Sequence, residues 1–350
     1  MKMSPDALFQ SAEIYFESFD FEAGTVKCHQ MQRNDYARSS FLDHRTLSAG
    51  PTLSLKTSDL YKACLLTQSK PKPVTFIFHI AFGGSTLISR CLDKDGVCLS
   101  YKEPYLLHQL AFLARNNLGL KTTDSKEEMN FKVQLPAIII NLLSRSFSPD
   151  EIPMIKPTES CNNLIAPLLK THPNARAILL YGNLKAYVIS LLKDTNRRTF
   201  MRESLSRAQA DFKAIGYDNL LYDGLTDGQS VGYLWLSQMV HFYKLLQNED
   251  LNLRSLSSPD FFDSPVETLS AISNFFGMNH TEDDFQKHVD HGAFTKYSKE
   301  QHIDYDAAAA LKFNQKKAEL LKPEIDEARA WVSDMSHIIS IPNSLPRPLI

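Results

Sequence analysis

The segment that most constrains this chain is an apolar run at residues 74–80 that leads directly into a diglycine turn and a Ser-Thr pair. The run, VTFIFHI, is apolar at most positions and rich in β-branched and aromatic residues. A strand of this kind is typical of a parallel sheet that helices cover on both faces. Ser85 or Thr86 can begin a helix immediately after the turn. The segment therefore predicts a strand, a loop and a helix within a layered α/β fold.

The rest of the chain alternates short apolar runs with segments of helical periodicity. Further strands are predicted at residues 96–101, 154–158, 175–181 and 251–257. Helices are predicted at residues 85–92, 103–117, 127–145, 184–195, 228–248, 266–277 and 305–335. Alternation of this kind predicts a central parallel sheet of four to five strands, with helices on both faces and additional helices at the C-terminus.

The chain divides into two predicted parts. Residues 1–70 are mixed in pattern, include a turn at 48–51, and are interpreted as an N-terminal extension packed on the core. Residues 71–340 form the main domain, which begins at the proline-containing breaker KPKP. Ligands bind beyond the carboxyl ends of the strands in such sheets, so the site is expected there.

Composition limits the partners that can be expected. The net charge of -2 argues against nucleic acid or an anionic membrane as a partner. Five cysteines without a C-x-x-C pair favour reduced thiols and a cytoplasmic location. We expect no signal peptide, no membrane span, for which about 18 apolar residues are needed, and no metal site. The oligomeric state stays open.

The diglycine turn has the chemistry of a phosphate-binding loop. Glycines allow the backbone to approach an anion closely, and the amides at a helix N-terminus point at it. The hydroxyls of Ser85 and Thr86 add donors. The loop lacks the lysine of G-x-x-x-x-G-K-[ST], and it is no G-x-S-x-G elbow. A tight strand–helix turn in which Gly83 and Gly84 only relieve crowding is the alternative interpretation.

The loop, residues 83–87, resembles the first loop of the sulfotransferase superfamily, whose donor is 3'-phosphoadenosine-5'-phosphosulfate (PAPS). Residues 101–104, Tyr-Lys-Glu-Pro, and 155–158, Ile-Lys-Pro-Thr, are similar to later family segments, and the resemblance extends to bacterial sulfotransferase-like proteins of unknown acceptor. The resemblance covers residues 74–300. It implies a P-loop-type fold and sulfuryl transfer from PAPS to a hydroxyl or amine, with adenosine 3',5'-bisphosphate as product. The acceptor would be a small molecule, a glycan or a peptide.

The resemblance also implies roles for three polar residues near predicted strand ends. Glu103 is the candidate base, against the alternative of an ordinary acidic residue in a first helical turn. Lys156 is the candidate cation for the sulfate or the leaving phosphate, against a solvated strand end. His79 is the alternative base, although a buried, hydrogen-bonded histidine that supports the loop fits its apolar strand better.

Donor binding is assigned by the same resemblance to the loop and to three later residues. The candidates are Phe82, Gly83, Gly84, Ser85, Thr86, Leu87, Lys185, Ser190 and Lys299. Two positions depart from the family, which has a loop cation where Phe82 stands and an arginine where Gly182 stands. Lys156 and Lys185 are the candidate replacements for these cations.

The sequence also contains a small basic cluster, and it leaves two competing functions open. Arg197, Arg198 and Arg202 are interpreted as a solvated helix face, with docking of an anion as the alternative. A different P-loop phosphotransferase is one competing function. A catalytically degenerate nucleotide-binding protein is the other, and the departures at Phe82 and Gly182 favour it.

Overall fold

The computed structural model describes residues 5–47, 52–67 and 71–350. The turn predicted at residues 48–51 lies outside these residues. The described residues form ten strands in three sheets. The strands are β1 (Ile14–Asp20), β2 (Thr25–Gln30), β3 (Thr52–Lys56), β4 (Thr75–His79), β5 (Cys98–Lys102), β6 (Ile152–Lys156), β7 (Arg176–Tyr181), β8 (Leu253–Ser257), β9 (Lys296–Tyr297) and β10 (Glu300–Asp304).

The central sheet has five parallel strands in the order β5-β6-β4-β7-β8. Strand β4 lies in the middle, and its side chains alternate between two hydrophobic clusters. Phe76 and Phe78 belong to the larger cluster, while Ile77 belongs to the smaller one. Because both faces of the strand are buried, its sequence is nearly continuous in apolar residues. The predicted α/β fold with a five-stranded parallel sheet is confirmed.

Helices surround this sheet and continue to the C-terminus. They are α1 (Pro5–Gln10), α2 (Arg33–Arg38), α3 (Thr57–Leu66), α4 (Ser85–Leu92), α5 (Tyr105–Arg115), α6 (Lys126–Leu143), α7 (Ile165–Thr171), α8 (Leu184–Leu192), α9 (Thr195–Ala214), α10 (Asp227–Leu246), α11 (Ser258–Asp263), α12 (Pro265–Phe276), α13 (Glu282–His291), α14 (Ala307–Leu320) and α15 (Lys322–Asp334). None of the helices in the described ranges is both long and apolar enough to cross a membrane.

One long helix was missed by the sequence analysis. The prediction of a single helix over residues 184–195 is wrong at its end, because α8 stops at Leu192 and α9 begins at Thr195. Most positions of α9 are polar, so its helical period is weak. The available signal was Asp194, whose side chain accepts a hydrogen bond from the Arg197 amide and caps the helix.

The N-terminal residues form an antiparallel sheet with the order β1-β2-β3. Strand β1 packs against α5, where the Phe19 amide donates a hydrogen bond to Gln109 Oε1 over 2.8 Å. The Leu42 amide donates to the carbonyl oxygen of Lys102 over 2.8 Å. Side chains from both sides of residue 70 share one hydrophobic cluster, and the predicted boundary there stays a prediction. The hydrogen bond between Leu42 and Lys102 brings residues 43–45 to the end of β5.

Candidate functional site

A cavity of about 650 Å³ lies beyond the carboxyl ends of β4, β5 and β6. This main cavity has walls from the diglycine loop, the strand ends, the segment at residues 43–45, helix α9 and the turn at residues 298–299. The predicted site residues that line it are His79, Phe82, Gly84, Ser85, Thr86, Glu103, Lys156 and Lys299. The sheet edge where the site was expected therefore contains a cavity large enough for a small-molecule ligand.

The backbone of the diglycine loop turns sharply into α4. Gly84 precedes the helix with a φ of 91°, and the first intrahelical bond runs from the Ile88 amide to the Gly84 carbonyl over 3.1 Å. The amides of residues 85–87 have no intrahelical acceptor, and no other acceptor within the described chain binds them. Three backbone donors and the positive end of the helix dipole therefore remain available to an anion.

The two hydroxyls of the loop are also available. Ser85 and Thr86 are each 5% exposed and line the main cavity. Neither hydroxyl makes a hydrogen bond to another residue of the described ranges. Leu87 differs, because its side chain packs into the smaller hydrophobic cluster and leaves only its amide for a ligand. The loop thus combines amide and hydroxyl donors on one wall.

We expect Gly84→Ala to disturb this loop. A Cβ at this position would lie 3.1 Å from Phe262 Cζ, and the left-handed backbone conformation costs an L-residue about 1–2 kcal/mol. The variant should lose stability and should bind inorganic sulfate more weakly in calorimetry. Gly96→Ala is the matched control, because Gly96 also has a positive φ of 71° but nothing within 4 Å of the added carbon. Unchanged sulfate affinity in Gly84→Ala would contradict a role of the loop in binding anions.

Glu103 and Lys156 form a buried ion pair that lines the same cavity. Lys102 and Lys156 are partners in the register of β5 and β6, so the residue after β5 lies beside the end of β6. The Glu103 amide donates to the Lys156 carbonyl oxygen over 2.7 Å. Lys156 Nζ lies 2.5 Å from Glu103 Oε1, and the side chains are 2% and 9% exposed. Backbone and side chain together fix the carboxylate at the cavity.

The ion pair controls the protonation of Glu103. Burial acts to raise the pKa of this carboxyl, but the charge and the hydrogen bond of Lys156 outweigh burial, and the pKa falls to about 2. Lys299 and His79 act in the same direction. Glu103 is therefore a carboxylate at neutral pH. It also lies outside the helix, since α5 begins at Tyr105, so it is not an acidic residue of a first helical turn.

Backbone strain occurs at two positions of this site. Among the described residues, five non-glycine residues have a positive φ, and two of them, Phe82 at 69° and Glu103 at 51°, line the main cavity. L-residues adopt this conformation only where the surrounding structure enforces it, and such residues cluster at functional sites. The strain therefore occurs in two of the loops that line the cavity.

His79, the last residue of β4, contacts the backbone at two strand ends of the site. Its Nδ1 lies 2.9 Å from the Ile80 carbonyl oxygen, and its Nε2 lies 3.0 Å from that of Pro157. Burial, together with the charge of Lys156, lowers the pKa of His79 to about 4, so the ring is neutral and only one of its nitrogens donates. Both nitrogens face backbone oxygens. The geometry favours a supporting role, in which the ring links the ends of β4 and β6, over that of a base.

Arg45 reaches the site from the N-terminal segment, and the sequence analysis missed it. Its guanidinium lies 3.0 Å from Glu103 Oε2 and 2.5 Å from Asp43 Oδ2. The segment is held by the hydrogen bond between Leu42 and Lys102. No local pattern around Arg45 indicated this role, because the contact depends on how the N-terminal sheet packs.

The remaining cations come from the C-terminal half. Lys299 lies in the turn between β9 and β10, and Arg90 Nε donates to the Ser298 carbonyl oxygen over 2.5 Å to hold that turn. Burial, together with the charges of Lys156 and Arg197, lowers the pKa of Lys299. Arg197 also lines the cavity. The predicted basic cluster therefore does not lie entirely on a solvated face.

A second cavity of about 320 Å³, the side cavity, adjoins the loop from the β7 side. Ser190, Gly83 and Gly182 line it, and Phe82 lines both cavities. Lys185 is exposed and lines neither cavity, so the structure does not bring it to the position where it would replace an arginine. The side cavity therefore contains the predicted serine without the predicted cation.

Comparisons with known proteins gave structural likenesses only. No protein-family model matches the chain, and no curated protein matches it. The sulfotransferase domain from the curacin biosynthetic pathway is 15% identical, with a TM-score of 0.40, over 78% of this chain and 100% of that chain. A sulfotransferase from Alicyclobacillus acidocaldarius is 10% identical, with a TM-score of 0.33, over 75% and 96% of the two chains. Sulfotransferase STF9 from Mycobacterium avium is 12% identical, with a TM-score of 0.35, over 83% and 84%. Activity has to be argued from the site.

Proposed function

We propose that this protein is a sulfotransferase that moves a sulfuryl group from PAPS to a hydroxyl or amine of an acceptor. The observation that carries the proposal is a single cavity that brings two groups of residues together. One group is the amides of residues 85–87 and the hydroxyls of Ser85 and Thr86, which have no partner among the described residues, and the other is the buried pair of Glu103 and Lys156. The first group suits an anionic donor, and Glu103 suits proton removal from an acceptor.

The residues present fit a donor with several anionic groups. The amides and hydroxyls of the loop would hold the phosphosulfate, and Lys299 would contribute a positive charge at the same cavity. Ser190 in the side cavity is the candidate for a second phosphate group. Gly182 offers only its backbone there, so this second group would be bound without the cation that the resemblance led us to expect.

The proposed reaction needs positioning and charge neutralisation more than covalent help. PAPS would supply the sulfuryl group, whose bond to the 5'-phosphate oxygen breaks as the acceptor oxygen bonds to sulfur. Glu103 Oε1 or Oε2 would take the acceptor proton. The loop amides and Lys156 would stabilise the charge on the departing phosphate.

The resting site contains a base that is held back. With a pKa of about 2, Glu103 is a weak base while Lys156 and Arg45 bind it. A donor anion in the cavity would compete with Glu103 for Lys156, and the pKa of Glu103 would rise as the ion pair weakens. Glu103 would then become able to remove a proton only after the donor has bound.

The same low pKa supports the second candidate function, a nucleotide-binding protein that no longer catalyses transfer. If Lys156 and Arg45 stay on Glu103 after the donor binds, the carboxylate cannot act as a base. The two candidates share the loop and differ in what happens at Glu103. The third candidate, a phosphotransferase, requires a loop lysine that this chain lacks.

Calorimetry with adenosine 3',5'-bisphosphate, ATP and GTP separates these candidates. We expect the bisphosphate to bind at least about tenfold more tightly than either triphosphate, a difference of about 1.4 kcal/mol. Transfer of labelled sulfate from PAPS to a panel of phenols, sugars and tyrosine peptides then tests catalysis. Preference for ATP would contradict the proposal, and stoichiometric binding of the bisphosphate with no transfer to any acceptor would favour the binding protein.

A further inference from the structure

The guanidinium of Arg197 lies on the Phe82 ring at the edge of the main cavity. The distance from its Cζ to the ring centroid is 4.6 Å. Both side chains are half-buried and line the cavity. Cations over an aromatic face gain about 0.5–2 kcal/mol, depending on how far they are removed from water. Phe82 thus provides a platform that fixes the position of the guanidinium.

Arg197 differs from three other cations of the cavity in its partners. Lys156 and Arg45 bind Glu103, and Arg207 lies 3.2 Å from Glu159 Oε1. Among the acidic side chains that the structure describes, none lies at ion-pair distance from Arg197. The Arg197 guanidinium donates no hydrogen bond to a side chain or carbonyl that the structure describes, so its N–H donors are open to another group. A half-buried cation with open donors at a cavity is suited to an anionic ligand.

Two features direct Arg197 towards the cavity and its neighbours away from it. The Asp194 side chain accepts a hydrogen bond from the Arg197 amide over 2.9 Å, which places Arg197 in the first turn of α9. Arg198 and Arg202 both contact Asp227, over 2.5 Å and 3.2 Å, and neither lines the main cavity. Of the three arginines in this basic cluster, Arg197 alone lines the main cavity.

We propose that Arg197 binds the phosphosulfate of the donor, with the Phe82 ring as its support and the loop amides beside it. This inference rests on the proposed function and adds a residue for which the sequence interpretation favoured a solvated face, with docking of an anion as the alternative. A guanidinium donates two parallel hydrogen bonds to a sulfate or phosphate group, which a lysine does not. The positive φ of Phe82 marks a strained backbone at the residue that supplies this support.

The test compares nucleotide affinity in variants of the full chain. Arg197→Ala should bind adenosine 3',5'-bisphosphate and inorganic sulfate about 10- to 100-fold more weakly in calorimetry, and Arg197→Lys should recover only part of the loss. Arg202→Ala is the matched control from the same helix and should leave both affinities unchanged. Arg197→Gln keeps most of the side chain over the ring and replaces Arg197→Ala if thermal unfolding shows that the alanine variant does not fold.

A relocated charge makes the test specific. In the Arg197→Ala background, Phe82→Lys places a cation on the loop itself and should restore most of the lost affinity. Equal binding by wild type, Arg197→Ala and Arg197→Gln would overturn this inference and leave the proposed function standing. A wild-type chain that binds neither the bisphosphate nor sulfate would overturn the proposed function and this inference together.

Discussion

Glu103→Gln is expected to lower the rate of sulfuryl transfer by about 10²- to 10⁴-fold, the range that a positioned general base contributes. Glutamine keeps the size of the side chain and an oxygen that can accept from Lys156, which lies 2.5 Å from Glu103 Oε1 in the wild type. It cannot take a proton from an acceptor. The nucleotide is proposed to bind the loop amides and hydroxyls, and Glu103 is not one of these donors, so the affinity for adenosine 3',5'-bisphosphate should stay nearly unchanged. Single-turnover transfer from PAPS and calorimetry measure the two effects separately.

The control for this experiment is Glu159, another acidic residue that lines the same cavity. Glu159 pairs with Arg207 and has no contact with Lys156. Glu159→Gln should therefore reduce transfer much less than Glu103→Gln. Transfer at the wild-type rate in Glu103→Gln would remove Glu103 from the mechanism. A loss of nucleotide affinity equal to the loss of rate would instead assign Glu103 to donor binding.

The loop and the sheet could be predicted from the sequence because both depend on local patterns. The apolar run at residues 74–80 requires burial on both faces, and a parallel sheet provides it. Once the strands are parallel, their carboxyl ends meet at one edge, so Glu103 and Lys156 were expected near each other and near the loop. The details of their contact depend on the register of β5 and β6, which no periodicity in the sequence specifies.

Arg45 and Arg197 could not be predicted in this way. Arg45 belongs to a segment whose position depends on the packing of an antiparallel sheet against α5. Arg197 lies in a helix with weak periodicity, and its neighbours Arg198 and Arg202 made the whole cluster look like a solvated face. Contacts between residues that are distant in the sequence depend on tertiary packing, which propensities and patterns do not contain.

Lys156→Met is expected to destabilise the protein by about 3–5 kcal/mol, because it leaves the buried Glu103 carboxylate without its main partner. The pH dependence of stability should change as well. In the wild type the folded pKa of Glu103, about 2, lies below its ordinary value of 4.5. Glu103 therefore stabilises the fold above about pH 4.5. This contribution, about 3 kcal/mol from the difference in pKa, is lost as the pH falls through 4.5 towards 2.

In Lys156→Met the folded pKa of Glu103 should rise, so this acid-dependent loss should shrink or disappear from denaturant unfolding measured between about pH 2 and 6.

Lys102→Met is the matched control. Lys102 is the register partner of Lys156 and forms its own buried ion pair with Asp93, at 2.9 Å, so its loss should cost similar stability without changing the Glu103 contribution. The double variant Lys156→Met/Glu103→Gln should be more stable than Lys156→Met, since it no longer buries an unpaired charge. Additive effects of the two substitutions on the free energy of unfolding would show that the pair is not coupled. If Lys156→Met also loses the same stability as the wild type between about pH 4.5 and 2, Lys156 does not control the protonation of Glu103.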